Sequence, residues 1–368
     1  MRKTLYYISL LFLTTIFLYC LYFYPKQLVD VDSIERIEVF TPDTEIYHND
    51  CLHPCIRYSE NGFAGYHYWM AQSPYYGWNN QVENPILYRS NTLCSIGKEC
   101  EGLVIADTPK KGYNSDPNIF IDGDSVLYVF WRECMTPLCD SLNKVNVTVG
   151  ISSRDGVNFS EKRVYLCNSD GWSDIEQAPV LIKHNGQYLF YAAWYKYEPE
   201  RKNKGVAIWQ GTSLENPDFV LRDTIAFPVV YTVDKLAQAG IGKEGRKEGR
   251  KEGRKEGRTL FYLPKPHKFD LWHFDLLERN GKLLMVASEE KGDVIMMAES
   301  DDWKHFKPLQ KPLISNHYME NCCGYRQYYY KPTAIIRNDS LLLFYTSNDD
   351  YDQNLNILHL GKFDMKGY

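Results

Sequence analysis

Apolar residues in most of this chain fall in short runs, not at helical spacing, and one unit of run, turn and run recurs five times. The copies are HPCIRYSENGFAGYHYWMA from His53, DPNIFIDGDSVLYVFW from Asp116, APVLIKHNGQYLFYAAW from Ala178, HFDLLERNGKLLMVAS from His273 and KPTAIIRNDSLLLFYTS from Lys331. Each opens on a polar or small residue followed by Pro, with Phe274 in the Pro slot of the fourth copy. A β-rich run follows, then a dipeptide that tolerates the positive φ of a tight hairpin: Asn61-Gly62, Asp122-Gly123, Asn185-Gly186, Asn280-Gly281 and Asn338-Asp339. The second run is almost continuously apolar, as in a strand covered on both faces. Third strands follow some copies and end in a recurring turn, as in VTVGISSRDGVNF (147–159) and DVIMMAESDDWKHF (293–306). Such units cannot bury their faces alone, but packed radially they can. The pattern predicts an all-β fold, a five-bladed β-propeller.

Two segments depart from the repeat. Leu5–Tyr24 carries no charge, and twenty residues at ~1.5 Å rise reach roughly 30 Å, the thickness of a bilayer core. Arg2 and Lys3 precede it, while Asp30 and Asp32 follow. The positive-inside rule then predicts a single N-terminal transmembrane helix with the propeller on the outer side, periplasmic or extracellular. A cleaved signal peptide is the rival reading. The division expected is an anchor or signal segment over residues 1–27 and a propeller over 28–368. Within the latter, four copies of KEGR from Lys243 to Arg258 predict a solvated loop (240–260) between the third and fourth blades.

Composition narrows the partners. Of 368 residues, 15% are aromatic, with 29 Tyr and 8 Trp, a surplus that suits strands and equally suits stacking against sugar rings. Net charge is -5 with no basic domain, which argues against nucleic acid. Cys51/Cys55, Cys94/Cys100 and Cys134/Cys139 form close pairs that, in an oxidising compartment, read as loop staples, with Cys167, Cys322 and Cys323 left open. No paired CxxC knuckles point to zinc, so no protein metal site is expected. Asn146, Asn158 and Asn338 begin glycosylation sequons.

In a propeller the innermost strand of each blade lines a central channel, so the residue opening each copy faces its mouth. Those residues are His53, Asp116, Ala178, His273 and Lys331, four of them ionisable. Near them lie Glu83, Glu176, Asp275 and Arg326, with Trp78, Trp172 and Trp272 as aromatic platforms. Convergent carboxylates beside aromatics are what glycoside hydrolysis requires. Asp116, Glu176, Asp275 and Glu83 are the candidate catalytic carboxylates. His53, His273, Trp78, Trp172, Trp272, Arg326 and Lys331 are the candidate substrate-binding residues.

From His53 onward, the order HP, ENP, SDP, AP, WHxD and a Tyr-Arg before the last blade resembles five-bladed propeller proteins related to glycoside hydrolase family 43. The wider clan includes arabinanases, levansucrases and invertases. The resemblance implies an Asp base or nucleophile in the first blade, an acid-tuning Asp in the second and a Glu general acid in the third. No cofactor is expected, and the sequence leaves open a structural calcium in the channel. Asp116 matches the second-blade Asp. Glu176 lies one position further from its Pro than the clan's Glu, where Gln177 stands here. The first-blade Asp is replaced by His53. Three readings follow: a polysaccharide hydrolase using carboxylate acid/base catalysis, a glycan-binding propeller that has lost hydrolysis, and a sialidase-like propeller recruiting Arg57, Arg132 and Arg326.

Overall fold

The computed structural model describes residues 35–93, 102–136, 138, 145–167, 174–196, 202–227, 230–232, 266–290, 292, 294–309, 312–315, 328–348 and 355–366. It opens with a short strand, β1 (Glu35–Ile37), and continues into four sequential antiparallel sheets. Blade one is β2 (Cys55–Phe63), β3 (Tyr66–Gln72), β4 (Ile86–Ser90) and β5 (Leu103–Val104). Blade two is β6 (Tyr113–Asp122), β7 (Val126–Thr136), β8 (Val145–Ser153) and β9 (Arg163–Cys167). Blade three is β10 (Asp174–His184), β11 (Gln187–Lys196), β12 (Lys202–Gly211) and β13 (Val220–Ile225). A two-stranded ribbon, β14 (Val230–Thr232) with β15 (Pro266–Lys268), precedes blade four. That blade comprises β16 (Leu271–Arg279), β17 (Lys282–Glu289), β18 (Val294–Ser300), β19 (Lys307–Pro308) and β20 (Ile314–Ser315). Blade five is β21 (Tyr330–Arg337), β22 (Ser340–Asn348) and β23 (Asn356–Asp364), and β1 returns to pair with β23 as its outer strand.

Five hydrophobic clusters lie between the sheets, one at each blade interface. Trp69 of blade one shares a cluster with Trp131 of blade two, Phe130 meets Phe190 of blade three, and Tyr191 shares a cluster with Phe274 of blade four. Val286 meets Leu343 of blade five, and Phe344 closes on Ile56 of blade one. Five sheets with five interfaces make a closed ring, so each apolar face is covered by a neighbour. The inner strands β2, β6, β10, β16 and β21 adjoin in the same cyclic order around the channel.

The hairpin turns fall on the expected dipeptides in three blades and one residue later in blade two. Asn185-Gly186 and Asn280-Gly281 sit at positive φ between paired strands, as does Asn338-Asp339, and in blade two the turn covers Gly123-Asp124 just after Asp122. Blade one differs. Phe63 pairs with Tyr66, so its turn is Ala64-Gly65, and Asn61-Gly62 lies inside β2, where the register shifts.

Three expectations are corrected. Among the described residues no helix is long and apolar enough to cross a membrane. Leu5–Tyr24 lies outside those residues, and the predicted anchor and the envelope address built on it are withdrawn. The Cys51–Cys55 staple does not form: both are buried free thiols. Cys51 packs between blades five and one, whereas Cys55 packs between blades one and two, so the two thiols serve different cores. Cys134 is likewise a buried free thiol, while Cys167 is disulfide-bonded. Cys94, Cys100, Cys139, Cys322, Cys323 and the KEGR loop lie outside the described residues.

Candidate functional site at the mouth of the channel

The residues opening the inner strands are aimed by backbone irregularity. Pro has no N–H to donate to a ladder, so pairing slips at the X-Pro step and a bulge turns the side chain out of the sheet plane. Register shifts occur at the X-Pro steps Ser115/Asn118, Gln177/Val180 and Tyr330/Thr333; a fourth, Leu271/His273, arises in the copy that has Phe274 in place of Pro. Asp116 and Ala178 adopt φ of 54° and 46° there, a conformation that bulky and branched residues avoid and that concentrates at functional positions.

Asp116 is the hub. Its carboxylate has no solvent exposure. Arg132 Nη2 lies 2.8 Å from Oδ2, while His53 Nε2 at 3.4 Å and His273 Nδ1 at 3.6 Å both approach Oδ1. Burial alone would raise the Asp116 pKa, but Arg132, His53, His273 and Lys331 outweigh it and hold the carboxyl well below the usual range. Asp116 is therefore ionised at every working pH.

His53 is held on its other edge. Its Nδ1 lies 2.9 Å from Ser73 Oγ and 2.9 Å from Glu83 Oε1. Glu83 also accepts a hydrogen bond from the Ser115 hydroxyl, and burial pushes its carboxyl pKa up despite His53 and Ser115. A proton on Nδ1 facing Glu83 leaves the Nε2 lone pair directed at Asp116, the carboxylate–histidine arrangement that orients metal-binding imidazoles. His273 is 1% exposed, and neither ring nitrogen hydrogen-bonds to a described residue. Burial depresses its pKa well below the ordinary value, so the ring is neutral and keeps a lone pair.

His53, Asp116 and His273 each offer one ligand atom, and the three atoms lie within 4.8 Å of one another. Lone pairs and an anionic oxygen so close repel unless a proton or a cation sits among them. Two imidazoles and one carboxylate so placed form a donor set for a divalent transition metal or zinc. The residues therefore fit a cation. The sequence had supplied all three names but no metal, because the three lie on three different blades and share no local spacing.

The remaining expected residues divide. Lys331 is buried beside the cluster with Nζ donating to Pro117 O at 2.7 Å, and burial lowers its pKa. Trp272 donates Nε1–H to Tyr330 Oη at 2.8 Å and meets His273 edge-on; Tyr330 in turn packs against both imidazoles. Asp275 is in the channel wall but fully engaged: Arg57 donates two hydrogen bonds of 2.7 Å, Thr333 Oγ1 one of 2.6 Å, and the Leu276 and Ala334 amides complete the set. Its geometry is that of a strut between blades one, four and five. Trp78 stands exposed on the loop between β3 and β4. Glu176, on β10, pairs with Trp194 of β11, its side chain outside the described set, and Trp172 and Arg326 lie outside the described residues altogether. Arg132, named in the sequence only as a recruitable cation, proves central; counting back from the turn would put Glu133 opposite Ser115, and only the register slip between Ser115 and Asn118 brings Arg132 there.

No known family's sequence profile matches the chain, and no curated protein matches it either. Solved structures do. An N-acetylgalactosamine deacetylase from F. plautii, in complex with blood group B trisaccharide, superposes with a TM-score of 0.61 at 10% identity, covering 90% of this chain and 94% of that one. An α-L-arabinofuranosidase from Lactobacillus brevis gives 0.53 at 12% identity, covering 92% of each chain. The α-L-arabinofuranosidase PaAbf62A from Podospora anserina, in complex with cellotriose, gives 0.52 at 10%, covering 90% and 95%. The fold is that of the family 43-like propeller glycosidases. At this identity the likeness is one of architecture, and the chemistry must be argued from the side chains.

Proposed function

We propose that this chain is a carbohydrate-active hydrolase whose reaction centre is the buried His53–Asp116–His273 cluster, working with a bound divalent cation on an oligo- or polysaccharide. The observation that carries this is a buried His273 with no hydrogen bond to a described residue, aimed with His53 at one oxygen of a buried Asp116 whose pKa Arg132 helps hold down. A divalent cation at such a centre supplies Lewis-acid polarisation of an acyl or glycosidic oxygen and acidifies a bound water. His53 Nε2, Asp116 Oδ1 and a ring nitrogen of His273 are the atoms that would hold it.

The protein's own groups do the rest. Glu83 keeps the His53 proton on Nδ1, so Nε2 stays a lone-pair donor. Arg132 keeps Asp116 ionised and fixes its plane through Oδ2. Tyr330 and Trp272 cover the imidazoles and exclude water from their faces.

Removal of an N-acyl group from an amino sugar is the reaction this centre fits best. An amide carbonyl needs one electrophile and one water. Among the described side chains, by contrast, Asp275 is fully bonded and Glu83 is committed to His53. The likeness to an N-acetylgalactosamine deacetylase supports the same reading. Glycosidic cleavage is the second reading, supported by the likeness of the fold to α-L-arabinofuranosidases.

The test is to incubate the protein with N-acetylated and neutral polysaccharides and assay acetate and reducing ends in parallel. Acetate release that disappears with a chelator, returns with added Mn²⁺, Zn²⁺ or Ca²⁺, and falls about 10³-fold in His273→Ala is expected for the first reading. Reducing ends insensitive to chelation would establish the second. Neither product from any substrate would remove the hydrolase reading.

A further inference from the structure

We infer that Trp78 is the platform of a second saccharide subsite, so that the substrate is an oligosaccharide or a chain end and not a free monosaccharide. This rests on the carbohydrate reading of the cluster above.

Trp78 is the exposed tryptophan of the described structure, at 55% of its full surface, whereas Trp69, Trp131, Trp209 and Trp303 are buried. Its backbone lies at φ 61°, directly after Gly77 at φ 63°. A bulky aromatic in the left-handed region is an outlier, and such outliers persist where the surroundings impose them, characteristically at ligand sites. Burial gives no reason for this one, because the strained residue is turned into solvent. The Tyr75 ring meets the indole edge-on at 5.7 Å and 85°, a contact that orients the ring without covering both its faces. Tyr76 is taken by His48, stacked at 3.8 Å, so Trp78 is the loop's free aromatic surface.

The loop that carries Trp78 is tied to the reaction centre at both ends. It leaves β3 through Ser73 and re-enters β4 after Glu83, and these two residues are the ones that grip His53 Nδ1. Between them, the Tyr75 amide is fixed on Asp50, and two single-turn 3-10 helices, Tyr76–Trp78 and Asn80–Val82, compact the chain, the second capped by Asn79. Trp78 precedes Glu83 by five residues, and the 3-10 turn Asn80–Val82 shortens the path between them. A platform at that place in the loop serves a sugar next to the reacting one. A flat indole offers its face to the C–H surface of a pyranose or furanose, which fits a saccharide and gives nothing to a small charged ligand.

The experiment is calorimetric titration of the full chain with matched monomers and tetramers: N-acetylglucosamine with tetra-N-acetylchitotetraose, arabinose with arabinotetraose, and xylose with xylotetraose. The wild type is expected to bind one tetramer at least about tenfold more tightly than its monomer. In Trp78→Ala that advantage should collapse, and Trp78→Phe should restore most of it. Melting curves check that both variants fold. A Trp78→Ala protein that keeps the tetramer advantage while His273→Ala loses all binding would overturn the subsite and leave the centre standing. A wild type that binds no member of the panel would overturn both.

Discussion

At the residue scale the site is a problem in buried charge. Asp116 sits where an isolated carboxylate would be driven neutral, and Arg132 is its strongest counterion. Arg132→Met should therefore let burial raise the Asp116 pKa. Because Asp116 must be ionised to act, the acid limb of the pH–rate profile should move upward, with activity lost first at low pH and least at high pH. A profile that merely scales down without moving would show that Arg132 only shapes the wall. Asp275 answers to the same physics with a different result. It is matched to Arg57 bidentately and to Thr333, so Asp275→Asn should leave a buried guanidinium poorly compensated and cost about 3–5 kcal/mol of stability by urea unfolding. If instead Asp275→Asn kept its stability and lost turnover, Asp275 would belong to the chemistry.

At the element scale, the hairpins and bulges position the chemistry. Four of the five inner strands slip register at their opening, and the turn at the far end sets which side chains face the channel. Blade one shows how local signals mislead. Asn61-Gly62 is the stronger turn dipeptide, yet Phe63–Tyr66 pairing puts Ala64 and Gly65 at the turn. Packing of Phe63 against Trp69 and of Ile56 in the closing interface decides the register against the dipeptide's preference. Ala64 at φ 48° is then an L-residue in a left-handed slot. Ala64→Asn should relieve it and raise stability by about 1 kcal/mol, visible as a higher Tm with unchanged circular dichroism. A lower Tm would mean that the turn is not type I′ in solution.

At the scale of the whole molecule the ring must close, and Asp50 is one of its ties. Buried at the blade-five seam, it accepts hydrogen bonds from the Asn356 backbone and side chain and from the Tyr75 amide, joining β23 to the loop that carries Trp78. Burial outweighs these donors and raises its pKa to about 7. A carboxyl raised in the folded state binds protons that the unfolded chain, near 3.8, has already released. Its contribution is thus present at low pH and declines as pH rises from about 4 to about 7, by up to about 4 kcal/mol. His273, depressed by burial, works in the opposite direction below its ordinary pKa, so wild type should be compared with Asp50→Asn at each pH. The wild-type advantage in Tm is expected at pH 5 and should shrink or reverse by pH 8. A gap that does not vary with pH would mean that Asp50 is ionised throughout.

The amino-acid sequence alone determined the repeat, its count and the strand-forming grammar of each copy, because alternation, turn dipeptides and Pro positions are local properties. It also named His53, Asp116 and His273, since each occupies the same slot of its own repeat. Only the tertiary structure decided what that slot does. Ring closure brings residues from three blades to a single oxygen, turns Asp275 aside to Arg57, separates Cys51 from Cys55 into different cores, and sets Arg132 against Asp116. Those outcomes depend on distances between segments far apart in the chain, and no pattern within a single segment encodes them.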